Sequence, residues 1–291
     1  MGESKPIGIT GGSGLSAMPG IELLSRVRVD TPFGEPSDEF VIGRLEGIDV
    51  VFLSRHGQGH KIVAPGVNFR ANIYGFKSLG VETLIGVSAV GSLREELAPT
   101  HMIIPDQIID LTKGRECSFF NDNPAVHVSM ADPTCGRLGK VLHEAAVSLG
   151  VTAQLGGTYV CMEGPAFSTR AESNLYRSWN ADVIGMTAAT EAKLAREAEI
   201  CYSAIALVTD YDVWREGTED VSIDTIIEIV RRNAEVASQL VKEAIVKIPD
   251  LSDCACRNAL ATAIGTSPDA VPDVTRTRLR VLLEKYLPPR D

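Results

Sequence analysis

Short apolar runs rich in β-branched residues recur along the chain, and segments of helical character separate several of them. Runs of this length and composition predict buried strands. Strands that alternate with helices are typical of an α/β protein with a largely parallel or mixed sheet. The predicted strands are 7–9, 50–53, 83–87, 102–104, 159–162, 183–184 and 205–208, and the predicted helices are 66–79, 136–149, 190–199 and one opened by a capping box at Thr169 and Glu172.

The length permits one large domain or two ordinary ones, and we expect one domain that spans residues 1–291. A chain of 291 residues, 44% of them hydrophobic, can bury a sizeable core. Its net charge of -10 and pI of about 5.1 disfavour nucleic acid and anionic membranes as partners. No apolar stretch approaches the ~20 residues that cross a bilayer, and the first residues lack the apolar core of a signal peptide. We expect a soluble, cytoplasmic protein.

The C-terminal part of the chain differs from the rest. Beyond residue 249 the strand pattern fades, and two short helices are predicted over 256–264 and 274–286. We expect residues 250–291 to form a helical extension that packs on the body of the domain.

The six cysteines do not have the paired CxxC spacing that is typical of zinc sites. A disulfide between Cys254 and Cys256 would close a tight ring that is easily reduced. We therefore expect free thiols in a reducing cytosol.

An acidic pair follows the last apolar strand, where Thr209 leads into Asp210, Tyr211 and Asp212. If the chain stays extended, its period of two places both carboxylates on one side, at the sheet edge where α/β proteins bind ligands. Two nearby acids in a cleft can share one proton, so that one donates a hydrogen bond while the other accepts. The alternative is a solvated acidic turn, since aspartate is common in turns.

Several groups that suit an anion follow other predicted strands. Arg55 and His56 come directly after one strand, and a guanidinium can hold phosphate through two parallel hydrogen bonds. Glycines around Ser13 let backbone N–H groups approach an anion. The hydroxyls of Ser88 and Thr187 follow two further strands and resemble anion donors, although each alone also suits a helix cap or turn.

Two further features, a histidine pair and a phenylalanine, each allow a functional and a structural interpretation. His56 and His60 have the spacing of a metal-binding pair on a helix, but the glycines between them disfavour a helix, so no metal site is predicted. Phe167 lies on a turn after a strand, where its ring can stack on a planar base. A lone phenylalanine more often packs in the core.

Six segments, in order between about residues 7 and 245, resemble the trimeric purine nucleoside phosphorylase family, most closely its 5'-methylthioadenosine branch. The resemblance implies a mixed sheet or distorted barrel core flanked by helices. It also implies an enzyme that uses phosphate and a nucleoside, needs no metal or organic cofactor, and forms a homotrimer or a dimer of trimers. The segments are Gly11-Gly12-Ser13-Gly14, Ser54-Arg55-His56-Gly57, Ser88-Ala89-Val90-Gly91-Ser92-Leu93-Arg94-Glu95, Met162-Glu163-Gly164-Pro165, Gly185-Met186-Thr187 and Thr209-Asp210-Tyr211-Asp212.

The resemblance also implies roles for individual residues of this chain. The catalytic residue would be Asp210, acting at purine N7. The phosphate would be bound by Ser13, Arg55, His56, Ser88, Ala89 and Thr187. The nucleoside would be bound by Phe167, Ser168, Met186, Asp210 and Asp212, by His127 reaching a neighbouring subunit's pocket, and by Ile223, Ile226 and Ile227 at the 5' substituent.

The residue chemistry favours a 6-aminopurine. Adenine presents an acceptor at N7 beside a donor at N6, which one protonated and one ionised carboxyl group satisfy together. An ionised aspartate would repel the O6 of a 6-oxopurine. Apolar Ile223 suits a methylthio group better than a free hydroxyl. The implied reaction is phosphorolysis of S-methyl-5'-thioadenosine to adenine and 5-methylthioribose 1-phosphate.

Other functions stay open at this stage. Ala166 and Gly185 replace larger residues of the family and are expected to leave room for adenosine or inosine. The alternatives are a 6-oxopurine nucleoside or methylthioinosine phosphorylase, a nucleosidase that uses water, and a non-catalytic nucleoside-binding protein.

Overall fold

The computed structural model describes residues 5–12, 15, 18–215 and 223–288, and for residues 223–228 and 230–232 it describes the backbone only. Within these ranges, eleven strands form one mixed sheet. They are β1 (Ile7–Gly11), β2 (Glu22–Val27), β3 (Phe40–Leu45), β4 (Ile48–Ser54), β5 (Thr83–Ser92), β6 (Met102–Ile104), β7 (Gln107–Asp110), β8 (Ala153–Leu155), β9 (Thr158–Cys161), β10 (Val183–Gly185) and β11 (Cys201–Asp210).

Helices flank this sheet, which confirms the predicted α/β fold with a mixed sheet. The capping box is also confirmed, because the Thr169 hydroxyl accepts from the Glu172 N–H while the Glu172 carboxylate accepts from the Thr169 N–H. The described helices are α1 (Phe69–Ser78), α2 (Gly136–Ser148), α3 (Arg170–Ser178), α4 (Ala188–Glu197), α5 (Ile223–Ile245), α6 (Asp273–Arg278) and α7 (Arg280–Leu283). No helix in the described ranges combines the length and apolar character needed to cross a membrane.

Strand β5 is the centre of the sheet. It pairs in parallel with β1 and β11, and its last residues pair antiparallel with β10. Strand β4 runs parallel to β1 on the far side. The carboxyl ends of β4, β1, β5 and β11 therefore meet at one edge of the sheet, which is where α/β folds bind ligands.

All seven predicted strands are present, whereas β2, β3, β7 and β8 were not predicted. Strand β2 is an edge strand whose side chains are mostly exposed, so it has no apolar pattern. Strand β3 is interrupted by Gly43 and Arg44, and β7 and β8 have only four and three residues. Each therefore lacks the apolar run that marks a buried strand.

The predicted helix over 256–264 is wrong. The chain forms a short 3-10 helix at Ala255–Asn258 and then consecutive turns. Ile264 forms an isolated antiparallel bridge with Val126, which requires extended backbone there. The second predicted helix is present as α6 and α7, which are separated by Leu279.

Glu197, the last residue of α4, is a buried acid that ties this helix to a loop. Its carboxylate accepts hydrogen bonds from the Phe119 N–H at 2.7 Å and the Ser118 hydroxyl at 2.8 Å. Burial raises the pKa of Glu197 to about 7, although both hydrogen bonds oppose the rise.

We expect Glu197 to make stability depend on pH. Because its pKa is higher in the folded state than in the unfolded chain, its contribution is full below about pH 4.5 and is lost as pH rises through about 7. Glu197→Gln should remove this loss. Melting temperatures of both proteins between pH 5 and 8 test this, and parallel curves would contradict it.

Candidate functional site

The register of the parallel strands brings the predicted anion-binding segments together. Gly11, at the end of β1, lies opposite Ser54 on β4 and Val87 on β5. Arg55 follows Ser54, the last residue of β4, and its backbone N–H donates to the Gly11 carbonyl at 2.8 Å. Ser88 follows Val87 directly, so the Arg55 and Ser88 segments lie side by side.

The antiparallel pairing of β10 with β5 brings in the third segment. Val183 lies opposite Ser92 and Ile184 opposite Gly91, and β10 ends at Gly185, so that Met186 and Thr187 follow the strand directly. On the other side of β5, Gly91 lies opposite Asp210 of β11. Along β5, the Ser88 hydroxyl therefore lies three residues before the position that neighbours Asp210.

Six buried hydroxyls have no hydrogen-bond partner among the described residues, and three of them belong to Ser88, Thr187 and Tyr159. Thr187 is the N-cap residue of α4, yet its side chain does not cap the helix, and Ser88 lies within β5. Neither hydroxyl therefore serves as a helix cap or a turn residue, which was the alternative explanation for Ser88 and Thr187. Buried polar groups are almost always satisfied, and the grouping of these three unpartnered hydroxyls around Tyr159 indicates a site for a polar ligand.

Tyr159 was missed by the sequence analysis because it reads as an ordinary residue of a buried strand. Burial raises the pKa of its phenol, and the nearby hydroxyls of Ser88 and Thr187 lower it, which places the three groups together. A Cβ atom on Gly185 would lie 2.0 Å from the Tyr159 oxygen. The expectation that Gly185 leaves room for a substrate is therefore wrong, since the tyrosine hydroxyl fills that space.

Arg55 is 1% exposed and is held by an ion pair that the sequence did not predict. Its Nε and Nη2 donate to the Glu191 carboxylate, the second at 3.1 Å, and the Tyr202 hydroxyl donates to the same carboxylate at 2.8 Å. Burial lowers the pKa of Arg55, but the charge and hydrogen bonds of Glu191 more than offset this, so the pKa is raised. The guanidinium is permanently charged.

The remaining contacts of Arg55 limit what it can give a ligand. Nη1 donates to the Val87 carbonyl at 3.0 Å and Nη2 to the Thr10 carbonyl at 3.4 Å. A guanidinium has five N–H donors, so these bonds leave one, on Nη1. The predicted two-pronged grip on phosphate is therefore not the arrangement of this structure.

The guanidinium of Arg55 occupies the space that a side chain at Gly12 would fill. A Cβ atom on Gly12 would be 2.5 Å from Nη1 of Arg55. Its backbone N–H donates to the Val87 carbonyl at 3.1 Å, so it does not serve an anion as predicted. Ser13 lies outside the described residues.

His56 is buried next to Arg55 and is neutral at pH 7. Burial and the Arg55 charge lower its pKa to about 4. Nδ1 lies 2.8 Å from the Ile62 carbonyl, so in the neutral ring Nδ1–H donates there and Nε2 is an acceptor. The ring stacks on His60 at 4.3 Å. Gly57 has φ +69°, which fits the predicted turn in place of a helix.

Asp210 and Asp212 lie together, but not because the strand continues. β11 ends at Asp210 after a register shift, and Asp212 has φ 52°. The Asp210 carboxylate accepts from the Asp212 N–H at 2.7 Å and from the Thr209 hydroxyl at 2.7 Å. The turn that joins the two acids is thus held by Asp210 itself, so the condition of an extended chain through both acids is not met.

Asp212 is buried and Asp210 is partly buried, so the pair is not a solvated turn. Burial raises the pKa of Asp210 and of Asp212, and the charge of Asp212 raises that of Asp210 further. Asp212 is 6% exposed, and its Oδ2 has no partner among the described residues. A Cβ atom on Gly91 would lie 3.0 Å from Asp210 Oδ1, so glycine gives the carboxylate its space. Two acids whose pKa values are both raised keep a proton to higher pH than exposed aspartates do.

The predicted base-binding residues lie on loops near this pair. Phe167 is 45% exposed, which excludes core packing as its role. Ser168 is buried, and its hydroxyl lies close enough to Asp212 to lower the pKa of that acid. Met186 packs so tightly on Gly164 that a Cβ there would be 2.6 Å from its sulfur.

Arg115 holds these two loops together and was also missed. Its buried guanidinium donates to the carboxylate and carbonyl of Glu163 and to the carbonyl of Met186. The loops that carry Phe167 and Met186 are therefore fixed relative to each other. No sequence signal marks this role, because Arg115 lies in an ordinary polar loop.

The described contacts do not place the other predicted residues at the site. His127 is exposed, and its backbone N–H donates to the Ala263 carbonyl at 2.9 Å. None of its described contacts is with Asp210 or with the hydroxyls. Ile223, Ile226 and Ile227 lie on α5, where their side chains are outside the description. Their roles stay predictions.

Comparison with known proteins identifies the family. Residues 6–246 match the model of the phosphorylase superfamily, which is most of the chain. The chain belongs to the phosphorylase superfamily, as its resemblance to nucleoside phosphorylases predicted.

Individual relatives match nearly the whole chain. An S-methyl-5'-thioadenosine phosphorylase of Koribacter versatilis is 55% identical over 280 residues, covering 96% of each chain. That of Geobacter sulfurreducens is 52% identical over 282 residues, covering 97% of this chain and 99% of its own.

Solved structures agree with these relatives. A methylthioadenosine phosphorylase from an antarctic soil metagenomic library is 46% identical, with a TM-score of 0.88, and covers 97% of this chain and 100% of its own. The Schistosoma mansoni enzyme in complex with adenine is 32% identical, with a TM-score of 0.86, and covers 90% of this chain and 99% of its own.

Proposed function

We propose that this protein catalyses phosphorolysis of S-methyl-5'-thioadenosine, releasing adenine and 5-methylthioribose 1-phosphate. Relatives of 55% and 52% identity with that name support the proposal. The observation that carries it is the arrangement along β5, where unpartnered buried hydroxyls beside a buried cation lie at one position and a buried acid pair at another.

The spacing of these two groups fits a nucleoside. Ser88 and Gly91 are three residues apart on β5, which corresponds to about 10 Å along an extended strand. Phosphate would lie at Ser88 and Thr187 and the purine at Asp210. The sugar would lie between them, beside Ala89 on β5 and Met186, which follows β10.

The phosphate end supplies positioning and charge. Arg55 provides a permanent positive charge and one N–H, and the hydroxyls of Ser88, Thr187 and Tyr159 provide donors. His56, neutral with an acceptor at Nε2, can accept a hydrogen bond from a phosphate O–H. We propose Ser13 as a further donor.

The purine end supplies the proton. As the C1'–N9 bond lengthens, its electron pair moves to the base and positive charge develops on the sugar, which the phosphate anion stabilises. A phosphate oxygen then bonds to C1', and protonated Asp210 gives its proton to N7. Ionised Asp212 accepts from the 6-amino group, while Ser168 and Phe167 contact the base. Ile223, Ile226 and Ile227 would contact the methylthio group.

A phosphate-dependent product assay tests this function. Methylthioadenosine, adenosine and inosine are compared side by side, with and without inorganic phosphate. We expect the highest kcat/KM with methylthioadenosine and no cleavage without phosphate. Higher kcat/KM with inosine would favour a 6-oxopurine enzyme, and cleavage without phosphate would indicate a nucleosidase. Binding without turnover would indicate a sensor.

Thr187→Val tests the phosphate site. The substitution replaces an unpartnered buried hydroxyl by a methyl group, so stability should stay equal or rise, while KM for phosphate rises about 10-fold through loss of one hydrogen bond. Thr134→Val is the control, because the Thr134 hydroxyl donates to the Pro105 carbonyl. It should lower the melting temperature and leave KM for phosphate unchanged. An unchanged KM in Thr187→Val would remove Thr187 from the site.

The assembly and cofactor requirements form part of the proposal. We propose a cytoplasmic homotrimer or dimer of trimers that needs no metal or organic cofactor for turnover and takes inorganic phosphate as co-substrate. His127, exposed in the single chain, would reach the pocket of a neighbouring subunit. Sedimentation of the protein tests the assembly, and a monomer with full activity would contradict it.

A further inference from the structure

Four cysteines from distant parts of the sequence meet inside the fold. Cys135, Cys201, Cys254 and Cys256 are all buried, and their sulfur atoms all lie within 4.8 Å of one another. Cys135 precedes α2, Cys201 begins β11, and the other two belong to the segment after α5. The proposed reaction uses none of them.

We propose that these four cysteines form a structural zinc site. A tetrahedral zinc thiolate centre has Zn–S bonds of about 2.3 Å, which places its sulfur atoms about 3.8 Å apart. The sulfur atoms of Cys135 and Cys254 are 3.7 Å apart. Binding would convert the four thiols to thiolates, each forming one bond to Zn²⁺ and releasing any proton it still carries.

The surroundings suit the negative charge of such a centre. Four thiolates and one Zn²⁺ carry a net charge of about -2, which needs compensation in a buried site. Arg137, which also pairs with Asp253, lies within electrostatic reach of Cys135 and Cys254, and Arg196 lies within reach of Cys256. The backbone N–H of Leu138 faces the Cys135 sulfur. Amide N–H groups of this kind support metal-bound ligands from outside the coordination shell.

The position of the cluster indicates a structural role. Its cysteines share a hydrophobic core cluster with Leu138, Leu142, Ile205 and Leu251, so four sulfur ligands and no water would surround the ion. Cys201 and Asp210 are the two ends of β11, whose ten residues span about 30 Å. The ion would attach the C-terminal segment to α2 and β11, far from the reacting atoms.

The CxxC spacing rule excluded zinc at the sequence level because it considers neighbours along the chain. Here only Cys254 and Cys256 are close in sequence, and the fold supplies the other two ligands. A metal that crosslinks such distant segments closes long loops, so it restricts the unfolded chain strongly.

The test is metal analysis of the full chain, purified with reductant and without chelator from zinc-supplemented cells. We expect about one zinc per chain, and Co²⁺ in its place should give the intense visible bands of a tetrahedral thiolate complex. Cys256→Ser should lose the metal and about 10 °C of melting temperature, with kcat/KM retained. Cys117→Ser, a cysteine outside the cluster, should keep the metal.

Three outcomes would overturn the proposal. They are a metal-free protein with six free thiols, a metal-free protein whose cluster cysteines are paired as disulfides in mass spectra, and equal zinc content in Cys256→Ser. If Cys256→Ser does not fold, alkylation of the wild type decides. The four cluster cysteines should resist alkylation until the zinc is removed by a chelator, and equal reactivity before and after removal would contradict the site.

Discussion

Asp210→Asn is expected to lower kcat/KM for methylthioadenosine by about 10²- to 10⁴-fold and to shift preference toward inosine. An amide cannot transfer a proton to N7, so the departing base keeps its full charge. The NH2 of the same amide can donate to O6 of a 6-oxopurine and so offset the repulsion of O6 by ionised Asp212. The ratio of kcat/KM for the two nucleosides should therefore change in favour of inosine.

The fold should tolerate this substitution. Asparagine keeps an oxygen that accepts from the Asp212 N–H, and the Thr209 hydroxyl can donate to the Val90 carbonyl, 3.2 Å away, in place of the carboxylate. Asp122→Asn is the control, since Asp122 is an exposed carboxylate far along the chain from the pair. An unchanged ratio of kcat/KM for methylthioadenosine and inosine would refute the role of Asp210, provided that the melting temperature is unchanged.

The sequence predicts the strands of the core and the edge at which the site lies. Buried strands such as β5 and β11 leave long apolar runs, and polar residues directly after or within them are visible against that background. Strand β2 leaves no such run because one edge and most of its side chains face solvent. Ser88, Thr187 and Asp210 were therefore predictable as chemically unusual positions.

What the sequence could not predict are the partners that fix these groups. Glu191 lies on a helix far along the chain from Arg55, and nothing in either segment marks the ion pair. Tyr159 lies in an apolar run and is indistinguishable in the sequence from a core residue. Only the fold shows that its hydroxyl lies beside those of Ser88 and Thr187. The four buried cysteines are likewise joined by tertiary structure alone.

Glu191→Gln is expected to be strongly destabilising because it removes one partner of a buried ion pair. The side chains of Arg55 and Glu191 are 1% and 3% exposed, and the guanidinium would keep its charge without a carboxylate. Breaking a buried pair in this way costs about 3–5 kcal/mol. At roughly 2–4 °C per kcal/mol, the melting temperature should fall by about 6–20 °C.

Phosphate should rescue part of this loss if Arg55 lies at the phosphate site. The anion would supply the missing negative charge, so its affinity for the folded protein and the rise in melting temperature it causes should be larger in Glu191→Gln than in the wild type. Glu284→Gln is the matched control, because Glu284 pairs with Arg280 on the exposed surface and should change neither quantity. Melting curves with 0 and saturating phosphate measure both effects. A small loss without phosphate would contradict the importance of the buried pair, whereas equal shifts with phosphate would place Arg55 away from the anion.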